Sequence, residues 1–258
     1  MGKIDDIQAY KEWTEYHRSL KRDKAADNLS PVERKKKLEK LEANVIEWIL
    51  FFFSEFAKYP FTKFHKKAIK RITTNMEWYE VLSWSRELAK STIVFMCMMY
   101  LVLTGKKKNV LLISNSHENA VRLLEPYKKA FESNSMLKAY YGDLREFGSW
   151  TADEFTLTTG ATFRAIGALE SPRGTRKDAV RPDTALVDDF DTDADCRNPD
   201  ILKKKWEWFE EALFPTRSIS EDLLVIFCGN LIALDCCVKR AGDKADHWDI
   251  VNIRDKDG

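Results

Sequence analysis

Residues 85–92, Ser-Arg-Glu-Leu-Ala-Lys-Ser-Thr, stand between an apolar strand pattern, Trp78 to Trp84, and an apolar helical run that continues to Leu103. A lysine and a hydroxyl at the mouth of a helix can hold phosphate. The unpaired N–H groups and the positive end of the helix dipole attract anions, and the lysine adds a point charge. Further along, Thr184 to Val187 forms a second apolar strand pattern, and it ends in Asp188 and Asp189. Neither half is specific alone. The phosphate-loop pattern G-x-x-x-x-G-K-[ST] asks for two glycines, and Trp84 and Ala89 stand in those places, although Lys90-Ser91 keeps the register. A lone lysine at a helix start is more often a surface residue, and a lone Asp-Asp more often a turn or cap. Together, in this order, the two halves demand a strand–loop–helix unit whose loop faces the carboxyl end of a second strand.

Read as chemistry, the whole loop (Ser85, Arg86, Glu87, Leu88, Ala89, Lys90, Ser91 and Thr92) is the candidate nucleotide cradle. Lys90 is placed for the β- and γ-phosphates. The Ser91 hydroxyl and the Asp188 carboxylate are candidate ligands of a Mg²⁺ ion that accompanies ATP. Arg86 offers a planar fork suited to phosphate oxygens. Asp189 is placed to orient or deprotonate the attacking water. Asp191, Asp193 and Asp195 follow, and we expect them to be solvated loop residues.

The rest of the chain supports an α/β fold. Asn109 to Ser114 is a buried-type strand, followed by a helix from His117 to Glu132. Thr156 to Ile166 is expected to be a hairpin turning at Thr159-Gly160. A helix from Pro199 to Leu213 precedes a strand from Leu223 to Cys228. Strands alternating with helices imply a mainly parallel sheet covered by helices, and with the lysine loop this becomes the P-loop NTPase class, ASCE or RecA-like. Before it lies a charged helical region. Ser30-Pro31-Val32-Glu33 carries the serine cap, first-turn proline and returning glutamate of a helix start. That helix is expected to run unbroken through Lys35-Lys36-Lys37 to Phe53, with the basic run as a solvated face, and Tyr59-Pro60 ends it. A short helix over Phe61 to Ile72 follows. The expected division is a helical extension at 1–58, an ATPase core at 59–245, and a strand or linker at 246–258 that includes His247 to Ile253. Lysine and arginine number 42 against 41 acidic residues, a net charge of +1, so global charge does not announce a nucleic-acid binder. The five cysteines (Cys97, Cys196, Cys228, Cys236, Cys237) form no CxxC pair and no Cys/His zinc spacing, which points to reduced thiols in a cytosolic protein. No signal peptide is expected at Met1, and the longest apolar run, Ile93 to Leu103, is too short to span a bilayer. Met96, Met98 and Met99 within it are expected to fill core space.

These residues resemble the ATPase domain of tailed-phage terminase large subunits, the motors that pump DNA into capsids. Residues 85–91 are similar to that family's deviant phosphate loop, with an early arginine and a lost glycine. Arg173-Gly174, then Arg181-Pro182-Asp183 leading into Thr184 to Asp189, resembles its R-G, R-P-D and second acidic strand. Gly229-Asn230, after the strand Leu224 to Cys228, looks like its coupling motif. Pro60 to His65 resembles the segment that contacts adenine, with His65 where glutamine is common. The resemblance runs from Pro60 to Asn230. It implies that Phe64 and His65 contact the base, that Arg86 acts within its own subunit, and that Arg173, with Arg176 as runner-up, reaches a neighbour's nucleotide. It implies that Asn230 senses the γ-phosphate. It further implies double-stranded DNA, a portal protein and a small terminase subunit as partners. The subunits would form a ring on the capsid and a monomer in isolation, in the host cytoplasm and away from membranes. The family's second, nuclease domain has too few residues here, so no nuclease activity is expected. Two alternatives are a helicase-like translocase or small-molecule kinase on the same fold, and a binding module in which Lys90 and Asp188 meet by coincidence.

Overall fold

The computed structural model of the chain describes residues 29–56, 60–171, 181–216 and 222–252. Helix α1 (Pro31–Glu42) begins as expected: the Glu33 carboxylate accepts from the Ser30 N–H at 2.9 Å while Ser30 caps the helix. The single long helix does not form. The chain turns at Ala43, and Asn44 caps a separate α2 (Val45–Phe52) by accepting from the N–H groups of Ile46 and Glu47. Asparagine is among the strongest N-caps, and the break lets Trp48, Ile49, Phe52 and Phe53 all turn inward, each 4% exposed or less.

The remaining elements alternate. They are α3 (Lys63–Thr74), β1 (Trp78–Trp84), α4 (Lys90–Leu103), β2 (Asn109–Ser114), α5 (His117–Ser133) and α6 (Ser135–Tyr141). Then come β3 (Arg145–Trp150), β4 (Glu154–Leu157), β5 (Thr162–Gly167), β6 (Thr184–Asp188), α7 (Asp193–Cys196) and α8 (Pro199–Glu207). The last are β7 (Leu224–Cys228), α9 (Cys237–Gly242) and β8 (His247–Val251). The α-helix expected up to Leu213 ends at Glu207, and Trp208–Leu213 widens into a π-helical turn.

One eight-stranded sheet runs in the order β3-β4-β5-β2-β6-β7-β1-β8. From β5 to β8 every neighbouring pair is parallel. The hairpin of β4 and β5 turns at Gly160, whose φ of 82° suits a residue without a Cβ. His247–Val251 pairs in parallel with β1, Leu82 opposite Asp249, and so is a strand of the same sheet.

Side chains leave successive strand positions toward opposite faces, and the core divides accordingly. Leu82, Leu112, Leu186 and Ile226 pack under α4 and the N-terminal helices. Val81, Leu111, Val187 and Phe227 pack against α8, the π turn and α9. Met96, Met98 and Met99 are fully buried, as expected. Polar ties fasten α1 and α2 to this core. Trp48 Nε1 donates to the Tyr141 hydroxyl at 2.8 Å, which donates in turn to Glu42 at 2.8 Å.

One buried charge group spans three elements. The Arg71 guanidinium of α3 donates to Glu80 of β1 through Nε at 2.9 Å and Nη2 at 2.6 Å, and Nη2 also reaches Asp249 of β8 at 2.6 Å. Trp78 Nε1 gives Glu80 a further hydrogen bond at 2.7 Å. Glu80, His247 and Asp249 lie close enough together to suggest a cation site. The Arg71 guanidinium is bonded to two of the three, so the group is an ion-pair network.

Candidate active site

Because β1, β7 and β6 are adjacent and parallel, the loops after them open on one edge of the sheet, the edge where α/β folds bind ligands. There a cleft of about 400 Å³ is lined by Trp84, Ser85, Arg86, Glu87, Leu88, Ala89, Lys90, Ser91, Thr92, Asp188, Asp189 and Asn230. Residues from three separate stretches of sequence thus share one wall.

The loop reaches its shape without the two glycines. Ala89 has φ 57° and Glu87 φ 71°, left-handed conformations that cost a residue with a Cβ roughly 1–2 kcal/mol each. Ala89 stands immediately before α4, so Lys90 occupies its first turn and the helix's free N–H groups face the cleft. Ser91 Oγ donates to Asp188 Oδ2 at 2.7 Å, joining the loop to the end of β6. The other Asp188 oxygen accepts from the Asp189 N–H at 3.1 Å. Asp189 is exposed and turns at φ 47°, which aspartate tolerates better than most residues.

Burial pushes the Asp188 carboxyl up to about 6, and the neighbouring Asp189 adds to the rise. The Ser91 hydrogen bond and the Lys90 charge oppose it without cancelling it. The folded chain therefore holds a proton that the unfolded chain releases near its ordinary value. The stability this group contributes is present below about pH 4 and is lost as pH rises through about 6. A shift of this size corresponds to about 2–3 kcal/mol. In metal-free solution, the unfolding free energy of wild type should fall relative to Asp188→Asn by that order between about pH 4 and pH 7. Urea titrations of both proteins with a chelator present would measure it, and a difference that stays constant with pH would contradict the assignment.

Asn230 follows β7 after one residue, Gly229. A Cβ at Gly229 would lie 2.2 Å from the Val238 methyl group, so only glycine lets α9 approach this closely. Two of the acidic residues after Asp189 differ from the expectation of a solvated loop. Asp191 accepts from the Val238 N–H at 3.1 Å, and the Asp195 carboxylate accepts from the N–H of Thr192, the cap of α7, at 2.9 Å and pairs with the buried Lys205 at 2.8 Å. They hold the segment after β6 in place, because a buried lysine requires an anion beside it. Asp193 is exposed, as expected.

Phe64 and His65 are not brought into the cleft lining. Phe64 packs edge-on against Trp84, with ring centroids 5.0 Å apart. His65 Nε2 lies 3.0 Å from the Leu88 carbonyl, and Nδ1 lies 3.0 Å from the Thr62 hydroxyl. Nε2 thus braces the 85–92 loop at Leu88, while Nδ1 completes the cap at the start of α3. Sequence inspection missed this brace, and the histidine at an unusual place was its one signal. Arg173 and Arg176 lie outside the described residues.

A mainly parallel sheet with β7 between the lysine-loop strand and the acidic strand has the P-loop NTPase fold. The sequence matches no protein-family model and no curated protein. Among solved structures, the chain is similar to the large terminase of bacteriophage HK97, with 14% identity and a TM-score of 0.54 over 84% of this chain and 45% of that one. It also overlaps a point variant of the large terminase ATPase domain from Thermus phage P74-26, with 15% identity and a TM-score of 0.47 over 78% of this chain and 84% of that one. The likeness to the HK97 protein is one of fold, and this chain spans less than half of that protein's length. Among the described residues, no helix is long and apolar enough to cross a membrane.

Proposed function

We propose that this chain hydrolyses ATP to drive double-stranded DNA into a phage procapsid. The observation that carries the ATP-hydrolysing part is the 2.7 Å hydrogen bond from Ser91 to Asp188 at the mouth of the Lys90 loop, and the likeness in fold to a phage large terminase supports the DNA-packaging part. The hydrogen bond joins the two halves of a nucleotide site on the sheet edge where P-loop folds place one. A hydroxyl and a carboxylate in contact are hard oxygen donors, the set that Mg²⁺ accepts alongside phosphate oxygens. When bound with ATP, that ion neutralises charge on the β- and γ-phosphates. Lys90 and the N–H groups at the start of α4 bind the phosphates. Arg86, exposed on the same wall, adds positive charge where the transferred group gains negative charge. Asp189 holds and orients the attacking water, and Asn230 carries the state of the γ-phosphate to β7. A portal protein and a small terminase subunit are the proposed partners of a ring of such subunits in the host cytoplasm, and Arg173 is the residue proposed to reach a neighbour's nucleotide.

Steady-state ATP turnover over a range of protein concentrations tests this. Turnover per subunit should rise with concentration, because a trans-acting arginine completes the site only when subunits meet. Asp189→Ala and Arg173→Ala should each be inactive, and mixing them should restore activity. Fast turnover that is independent of concentration would exclude a trans arginine. Background rates for wild type at every concentration would overturn the function.

A further inference from the structure

Residues 60–76 contain no aspartate or glutamate, in a chain whose positive and negative charges as a whole nearly balance. Helix α3 lies inside this stretch and carries Lys63, Lys66, Lys67, Lys70 and Arg71. Arg71 is neutralised by Glu80 and Asp249. The four lysines are exposed, at spacings of three and four residues that set them on one face, while Ala68, Ile69, Ile72 and Thr73 bury the opposite face. Among the described residues, none of the four forms an ion pair.

Local helix physics opposes this arrangement. Lys63 occupies the first helical position and Lys66 the first turn, where the helix dipole disfavours cations. Lys63 with Lys67, and Lys66 with Lys70, are like-charge pairs four residues apart, each destabilising by a few tenths of a kcal/mol. The basic run of α1 is built differently, with Glu33, Glu39 and Glu42 interleaved among Lys35, Lys36, Lys37 and Lys40. A face that costs its own helix stability and that no described residue neutralises is built for an external polyanion.

We infer that the Lys63–Lys66–Lys67–Lys70 face of α3 is a contact surface for the phosphate backbone of duplex DNA. The inference rests on the DNA-packaging function proposed above for the identity of the polyanion. Lys63 and Lys70 are two turns apart, about 10 Å along the helix axis. Duplex DNA carries a phosphate about every 3.4 Å of axis on each strand, so the face meets about three phosphates of one strand. The same helix braces the nucleotide loop through His65 and Leu88. A backbone contact on its outer side is therefore one helix away from the ATP phosphates, a short route for coupling hydrolysis to movement of DNA.

The test compares three forms of the full chain: wild type, a variant with Lys63→Gln, Lys66→Gln, Lys67→Gln and Lys70→Gln, and a control with Lys35→Gln, Lys36→Gln and Lys40→Gln in α1. Affinity for a duplex of arbitrary sequence is measured against salt concentration. The α3 variant should show a log–log slope shallower by about three, with a thermal midpoint equal to or above that of wild type and unchanged affinity for Mg²⁺-ATP. The α1 variant should move the slope by less than one. An unchanged slope in the α3 variant would overturn the inference, as would an equal change in the α1 variant. So would wild type that binds anionic phospholipid vesicles and not DNA. A wild type that binds DNA through α3 but turns over no ATP would leave the surface standing and remove the packaging function. Normal turnover with an unchanged slope would do the reverse.

Discussion

Lys90→Ala is expected to lower ATP turnover by at least about 10²–10³-fold, the cost of removing one preorganised charge from a site that stabilises developing negative charge. Lys90 opens α4 and lines the cleft, and its side chain is only partly buried. The variant should therefore fold with wild-type stability, and alanine, the best helix former, suits the position. The loss then belongs to chemistry and phosphate binding, and calorimetry with Mg²⁺-ATP would separate the two. Residual turnover equal to wild type would mean that the Ser91–Asp188 contact is structural and that the cleft does not work as a P-loop site. Lys90→Arg is the informative companion: it keeps the charge but replaces a compact ammonium with a wide planar fork. It should recover phosphate binding more than turnover.

Arg71→Met is expected to destabilise the fold by about 3–5 kcal/mol, the cost of leaving a buried charge without its partner. Glu80 is fully buried in β1, and after the substitution its one remaining side-chain donor among the described residues is Trp78 Nε1 at 2.7 Å. Asp249 on β8 would lose the same guanidinium. The double variant Arg71→Met with Glu80→Met should regain most of the loss, since replacing a buried ion pair by apolar groups of similar volume is often neutral. Equilibrium unfolding of the two single variants and the double variant gives the coupling directly. Additive losses would show that Arg71 and Glu80 do not depend on one another. Because Arg71 ties α3 to both β1 and β8, the single variant should also loosen the helix that braces the nucleotide loop, so turnover should fall with stability.

Much of the secondary structure was visible in local pattern. The strand and helix on either side of the lysine loop, the acidic strand and the capped start of α1 each depend on residues adjacent in sequence. Where local signals competed, inspection went astray. Asn44 stops a helix that the apolar run to Phe53 suggested would continue, because a side-chain cap outweighs continuity of pattern. The strand β3 passed unnoticed: it is an exposed edge whose Arg145, Glu146 and fully exposed Phe147 show no alternation, and Gly148 interrupts it. Asp191 and Asp195 looked solvated, since nothing in their spacing shows that Val238 and Lys205 fold against them.

The chain's own order of residues determined the elements and the chemistry available to each: a lysine and a hydroxyl opening one helix, two carboxylates closing one strand. Only the tertiary structure decided that β7 lies between β1 and β6, that Ser91 meets Asp188, and that His65 supports the loop from behind. Pairing between parallel strands joins backbone groups far apart in sequence and leaves no periodicity in the residues, so the assembled cleft exists only in the folded sheet.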